Sequence, residues 1–205
     1  LPLLAFLTLT ILAFAGVAWI RRVALRRAIL DHPNERSSHS ISIPRGGGLA
    51  IAIIVIATVF VFGIVNGFTA QSVSFIVSGT LLAFLGWRDD VRSLSPRVRF
   101  PIQFLAIVIS MLGLGYFQSV TIPIFGVWNL GWVGIPITFI WILGLINAYN
   151  FMDGIDGFAG GVALAAGLGW MILSSSFGGL ENPLAFWIVL SIAATSLGFL
   201  GHNWP

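Results

Sequence analysis

The sequence has no cysteine and no lysine, and only seven acidic residues among 205. Without cysteine there is no disulfide framework and no thiolate metal site. Without lysine, all ten cationic side chains are arginine, which stays ionised and binds phosphates as a bidentate fork. Charged residues are 8% of the chain and hydrophobic residues 58%. Soluble domains carry about a quarter charged residues, so an ordinary soluble domain is excluded and an all-α integral membrane protein is expected. The net charge of +3 is small, and no nucleic-acid partner is expected.

The long uncharged runs read as about seven spans, near 1–20, 46–65, 72–87, 101–117, 134–149, 158–176 and 184–201. They leave little room for a soluble domain, so 1–205 reads as a single transmembrane domain. The chain begins at Leu1 and stops just after His202-Asn203-Trp204, and both ends read as cut. The first run is followed at once by Arg21, Arg22, Arg26 and Arg27. Arginine clusters stay cytoplasmic, which places the N-terminus outside. The same cluster could also contact anionic lipid. Counting spans from there puts every arginine in a cytoplasmic segment. A polar stretch from Gln118 to Pro136 reads as an outside loop, with a short hairpin between Val120 and Trp132. No internal repeat or transporter-like inverted repeat is visible.

Four polar clusters then fall on one membrane face. Asp89 and Asp90 are adjacent and flanked by Arg88 and Arg92. Neighbouring carboxylates repel unless a cation or proton lies between them. A hard divalent ion relieves this, and Mg²⁺ takes one or two carboxylates together with substrate phosphates. The plainer reading is a helix-end pair neutralised by the arginines. Asn147, Asn150, Asp153 and Asp156 recur every third residue. If the helix continues through them they share one face and present amides and carboxylates to one polar ligand, such as a nucleotide. Otherwise the Asp-Gly pairs make a capping loop. Arg45 and Gly46 to Gly48 precede the second span, where glycines let backbone N–H groups approach a phosphate. A flexible pre-helix turn explains them equally well. His32 and His39 read as loop residues and not as metal ligands. Glu181 is the only acid outside the polar stretches 31–48, 88–99 and 147–157.

The segments DHPNERSSHSISIPRGGGLAI (31–51), GWRDDVRSLSPRVRFPIQ (86–103), NAYNFMDGIDGFAGG (147–161) and GFLGHNWP (198–205) carry a family resemblance. The chain resembles the polyprenyl-phosphate N-acetylhexosamine-1-phosphate transferases (glycosyltransferase family 4), relatives of the phospho-MurNAc-pentapeptide translocase. The first segment is closer to the branch that starts O-antigen and related polysaccharides. The resemblance implies transfer of a sugar-1-phosphate from a UDP-N-acetylhexosamine to undecaprenyl phosphate, releasing UMP, at the cytoplasmic face of the bacterial inner membrane. It implies Mg²⁺, with Mn²⁺ as a substitute, beside Asp89 and Asp90, one of which deprotonates or positions the lipid phosphate. It implies nucleoside contacts at Asn150, Asp153 and Asp156, pyrophosphate near Asn203, and substrate charge near Arg45. Which sugar is used is open, and so is a homodimer. Family members continue past the fourth segment into a further metal-binding aspartate and a histidine-bearing loop. The chain stops before both, so it is expected to be inactive by itself.

Two other classes compete. A transporter or flippase for an anionic solute expects charges inside spans, whereas these sit at span ends. A CDP-alcohol-type phosphotransferase needs further aspartates after its Asp-Gly, and Phe158 to Leu180 contains none.

Overall fold

The computed structural model describes residues 2–31, 43–176 and 183–204. His32, His39 and Glu181 lie outside the described residues. Among those described there are seven α-helices: α1 (Pro2–Arg26), α2 (Gly47–Asn66), α3 (Ala70–Val91), α4 (Pro96–Leu114), α5 (Gly134–Met152), α6 (Phe158–Ser176) and α7 (Pro183–Asn203). Two short antiparallel pairs complete it: β1 (Leu30–Asp31) with β2 (Ile43–Pro44), and β3 (Ser119–Ile122) with β4 (Gly126–Asn129). Six helices are long and apolar enough to cross a membrane; in α6 the apolar part, Phe158–Leu173, is shorter. The chain is an all-α integral membrane protein.

The helices outrun the hydropathy boundaries. α3 continues through Asp89 and Asp90 to Val91, and α4 starts at Pro96, so the expected start at 101 is too late. Hydropathy marks the part of a helix that suits lipid, whereas the backbone ladder continues wherever its own hydrogen bonds are met. Of the two nearby prolines, Pro96 takes the first helical turn, where a missing N–H costs nothing. Pro101 is carried inside α4. The uncharged run from Leu49 to Trp87 is split by a local signal: Gly67 turns at φ +88. Thr69 then caps α3 through a reciprocal pair, Ser72 N–H to Thr69 Oγ1 at 3.2 Å and Thr69 N–H to Ser72 Oγ at 2.9 Å.

α7 is the centre of the bundle, packing on α1, α2 and α6. Half of its apolar window is buried inside the protein, against 11–22% for the other spans. Lipid is as apolar as leucine, so helix association here depends on close packing of small residues. Ala193 and Ala194 are fully buried. A Cβ on Gly167 of α6 would lie 2.8 Å from that of Ala193. A Cβ on Gly198 would strike the Thr10 carbonyl and come within 2.8 Å of the Ala13 Cβ on α1. Thr10 Oγ1 also donates across this seam to the Ala194 carbonyl at 3.1 Å. Gly198→Ala is therefore expected to cost about 1–3 kcal/mol, because backbone cannot yield as a side chain can. Gly144→Ala, with nothing within 4 Å of the new Cβ, should be neutral or slightly stabilising. Melting temperatures in detergent check both.

Candidate active site

Three links gather the polar clusters at one end of the bundle. The first joins α1 to α7. Arg21 Nη1 donates to the His202 carbonyl at 2.7 Å, and His202 Nε2 meets the Phe14 carbonyl at 3.0 Å. A carbonyl only accepts, so Nε2 carries the proton. The His202 ring also stacks on Phe14, centroids 4.1 Å apart. Arg21, read in the sequence as a topology signal, thus also caps the carbonyl end of α7, where a cation is favoured.

The second link joins α7 to the loop after α5. Asn203 Oδ1 accepts the backbone N–H of Gly157 at 3.0 Å. Gly157 has φ +72 and is buried, a conformation that favours glycine. One hydrogen bond therefore anchors the far end of the turn carrying Asp153 and Asp156. The helix does not continue through that turn: α5 ends at Met152 with Asp153 as its C-cap. Asp156 accordingly leaves the row that a continuous helix would have made, because the Asp-Gly pairs end the helix. Asn147 is exposed and spends its Nδ2 on the Leu143 carbonyl at 2.8 Å.

The third link joins α3, α4 and α5. A cleft of about 180 Å³ is lined by Asp89, Arg99, Gln103 and Asn150, with Leu82, Leu85, Gly86 and Ile146 as its apolar wall. Asp89 stands in the last turn of α3. Its Oδ1 accepts the Leu94 N–H at 2.6 Å and its Oδ2 faces Arg99 Nη1 at 3.3 Å. The carboxylate thus fixes the short turn between α3 and α4 and aims a guanidinium into the cleft. The pair is only partly buried, 25% and 30% exposed, so its value lies in orientation more than in stability. Pockets for drug-sized ligands run to about 300–1,000 Å³. This cleft has room for a phosphate-sized group.

Asp89 and Asn150 are brought together, although they stand 61 positions apart in the chain. Asp90 is the next residue on α3. Arg45 is not among the cleft's lining residues; its N–H bonds the Ile29 carbonyl at 3.2 Å. The three glycines after it serve different ends: Gly46 turns at φ +94, Gly47 packs on Phe199, and Gly48 has open space. Sequence reasoning missed Arg99 and Gln103 as site residues. Their signal was available: they are four apart on α4, hence on one face, and Gln103 is 8% exposed within an otherwise apolar run.

An all-helical membrane protein with acids, amides and an arginine converging at one end has the equipment to bind phosphates beside lipid. Comparison with known proteins gives the family. The profile described as glycosyl transferase family 4 matches residues 72–205, and the chain belongs to that family. It is 32% identical over 195 residues to the undecaprenyl-phosphate alpha-N-acetylglucosaminyl 1-phosphate transferase of Escherichia coli K12, covering 90% of this chain and 51% of that protein. It is 32% identical over 213 residues to the decaprenyl-phosphate N-acetylglucosaminephosphotransferase of Mycolicibacterium smegmatis, covering 96% and 52%. It is 35% identical over 197 residues to the probable undecaprenyl-phosphate N-acetylglucosaminyl 1-phosphate transferase of Bacillus subtilis, covering 95% and 53%. The chain thus spans about half the length of the curated relatives it matches.

Proposed function

We propose that the full product of this gene transfers an N-acetylhexosamine-1-phosphate from a UDP-sugar to undecaprenyl phosphate and releases UMP. In this reading the reaction takes place at the polar end of the bundle, which the arginine distribution assigns to the cytoplasmic side of the bacterial inner membrane. It is the first membrane step of O-antigen or a related surface polysaccharide. The observation that carries this reading is the cleft in which Asp89, Arg99 and Asn150 meet, joining the 86–103 and 147–161 segments. Family membership and the relatives' names support it, and they make UDP-N-acetylglucosamine the first donor to test.

In the reaction an oxygen of the lipid phosphate attacks the β-phosphorus of the donor. The bond from that phosphorus to the bridging oxygen breaks, and UMP leaves with the electron pair. Arg99 holds the attacking phosphate through its fork of donors, and Asp89 keeps that fork aimed. Asn150, Asp153 and Asp156 hold the nucleoside, and the Asn203–Gly157 bond keeps their turn in place. The donor set suits a hard divalent cation. Asp89 and Asp90 are the carboxylates that would hold a Mg²⁺, with substrate phosphates supplying the remaining oxygens. Mg²⁺ when bound would neutralise the pyrophosphate charge.

The test supplies membranes containing the full gene product with undecaprenyl phosphate, Mg²⁺ and a panel of UDP-N-acetylhexosamines, and follows UMP. Release that requires both the lipid phosphate and the metal is expected. No release from folded protein with any donor would overturn the reading, and solute flux without UMP would replace it with transport.

A further inference from the structure

The loop between α4 and α5 takes no part in this site. It lies at the opposite end of both helices from Arg99 and Asn150. No charged residue occurs anywhere between Arg99 and Asp153. Within the loop, β3 and β4 pair Val120 with Trp128 and Ile122 with Gly126, while Ser119 faces Asn129 and Thr121 faces Val127. Strand side chains alternate between faces. One face of the hairpin therefore carries Val120, Ile122 and Trp128, and the other carries Ser119, Thr121, Asn129 and Val127. The first face is wholly apolar and uncovered, Trp128 being 56% exposed and Val120 43%, while the second is polar except for Val127, 66% exposed.

The tip sharpens this. The Phe125 N–H donates to the Ile122 carbonyl at 3.1 Å, closing a turn with Pro123 second and Ile124 third. Ile124 has φ +75. Proline second and positive φ third is the type II pattern, where glycine or asparagine normally stands third. A β-branched residue is strained there. Ile124 is also fully exposed and Phe125 is 71% exposed, so no packing within the protein offsets that strain. Adjacent apolar side chains at a strained, protruding tip mark a surface suited to an apolar environment outside the protein.

We propose that this hairpin is an anchor in the membrane interface on the face opposite the active site, with Ile124 and Phe125 inserted among the acyl chains and the Ser119–Thr121–Asn129 face toward water. The lipid surface is the partner that fits. The hairpin joins two helices long and apolar enough to span a bilayer, α4 and α5, the segment has no charge to desolvate, and Trp128 and Trp132 are of the type that settles at headgroup level. The same arrangement of apolar face down and polar face up holds amphipathic helices in an interface.

These 205 residues contain no cysteine, so single cysteines can be placed in the hairpin of this chain directly. Ile124→Cys, Phe125→Cys and Thr121→Cys are each labelled with an environment-sensitive fluorophore, and the protein is reconstituted in phosphatidylethanolamine–phosphatidylglycerol vesicles. Nitroxide-bearing lipids should quench the labels at 124 and 125 about threefold or more over the label at 121, with aqueous iodide giving the reverse order. Equal quenching at all three positions would overturn the proposal. A label at 124 missed by both quenchers would also overturn it, because a protein would then cover the tip. Ile124→Gly relieves the strained φ and should not lower the melting temperature in detergent. In that background the label at 125 should move toward the aqueous quencher; an unmoved label would deny Ile124 its role. None of these readouts depends on transferase activity.

Discussion

Asp89→Ala is expected to reduce UMP release by about a hundredfold or more, the scale seen when one preorganised electrostatic group is removed from an active site. Two partners lose their acceptor at once: the Leu94 N–H at 2.6 Å and Arg99 at 3.3 Å. The group is part exposed, so the stability loss should stay near about 1 kcal/mol. The loss in turnover should far exceed the loss in folding, and melting temperature beside kcat separates the two. Asp89→Asn keeps an oxygen for Leu94 but loses the charge that orients Arg99. It should recover stability and little activity. Arg99→Gln should be strongly impaired as well, and the double variant Asp89→Asn with Arg99→Gln should be scarcely worse than either single one, since the two residues act as a unit. Additive losses would show that Asp89 and Arg99 serve separate steps.

Asn203→Ala should raise KM for the UDP-sugar about tenfold or more and lower kcat as well, because positioning errors of about 1 Å are costly in a reaction that depends on alignment. The structural cause is the bond to Gly157. Without it the turn bearing Asp153 and Asp156 loses its tie to α7, the most buried of the six described spans. Asn203→Asp keeps an oxygen acceptor for Gly157. It should restore the melting temperature to near wild type, yet leave donor binding weak, since its charge would face the donor's phosphates. Full recovery of both by aspartate would confine Asn203 to holding the loop. Failure of aspartate to restore stability would mean that the Gly157 bond contributes nothing to the fold.

Much of this protein was legible before any coordinates. The membrane class followed from the scarcity of charge, and six of the seven expected spans coincide with helices of spanning length and apolarity. The expected hairpin between Val120 and Trp132 is present as β3 and β4, with β3 starting one residue earlier, at Ser119. These features rest on local and nearly additive terms: transfer of each side chain to lipid, and turn preferences over a few residues. Helix ends were less legible, as α3 running through Asp89 and Asp90 shows, because a backbone hydrogen-bond ladder does not stop where hydropathy does.

The sequence by itself determined that the chain crosses a bilayer several times and carries its acids and amides in a few short segments at the ends of its spans. Only the tertiary structure decided that α7 is the centre, that Arg21 closes its end, that Asn203 holds Gly157, and that Asp89, Arg99 and Asn150 share a cleft. The physical reason is that lipid rewards every apolar helix face alike. Which helices become neighbours is settled by shape and by a few polar contacts between residues far apart in the chain. The fit of Gly198 against Thr10 and Ala13 is a property of two surfaces together, and neither stretch of sequence contains it alone.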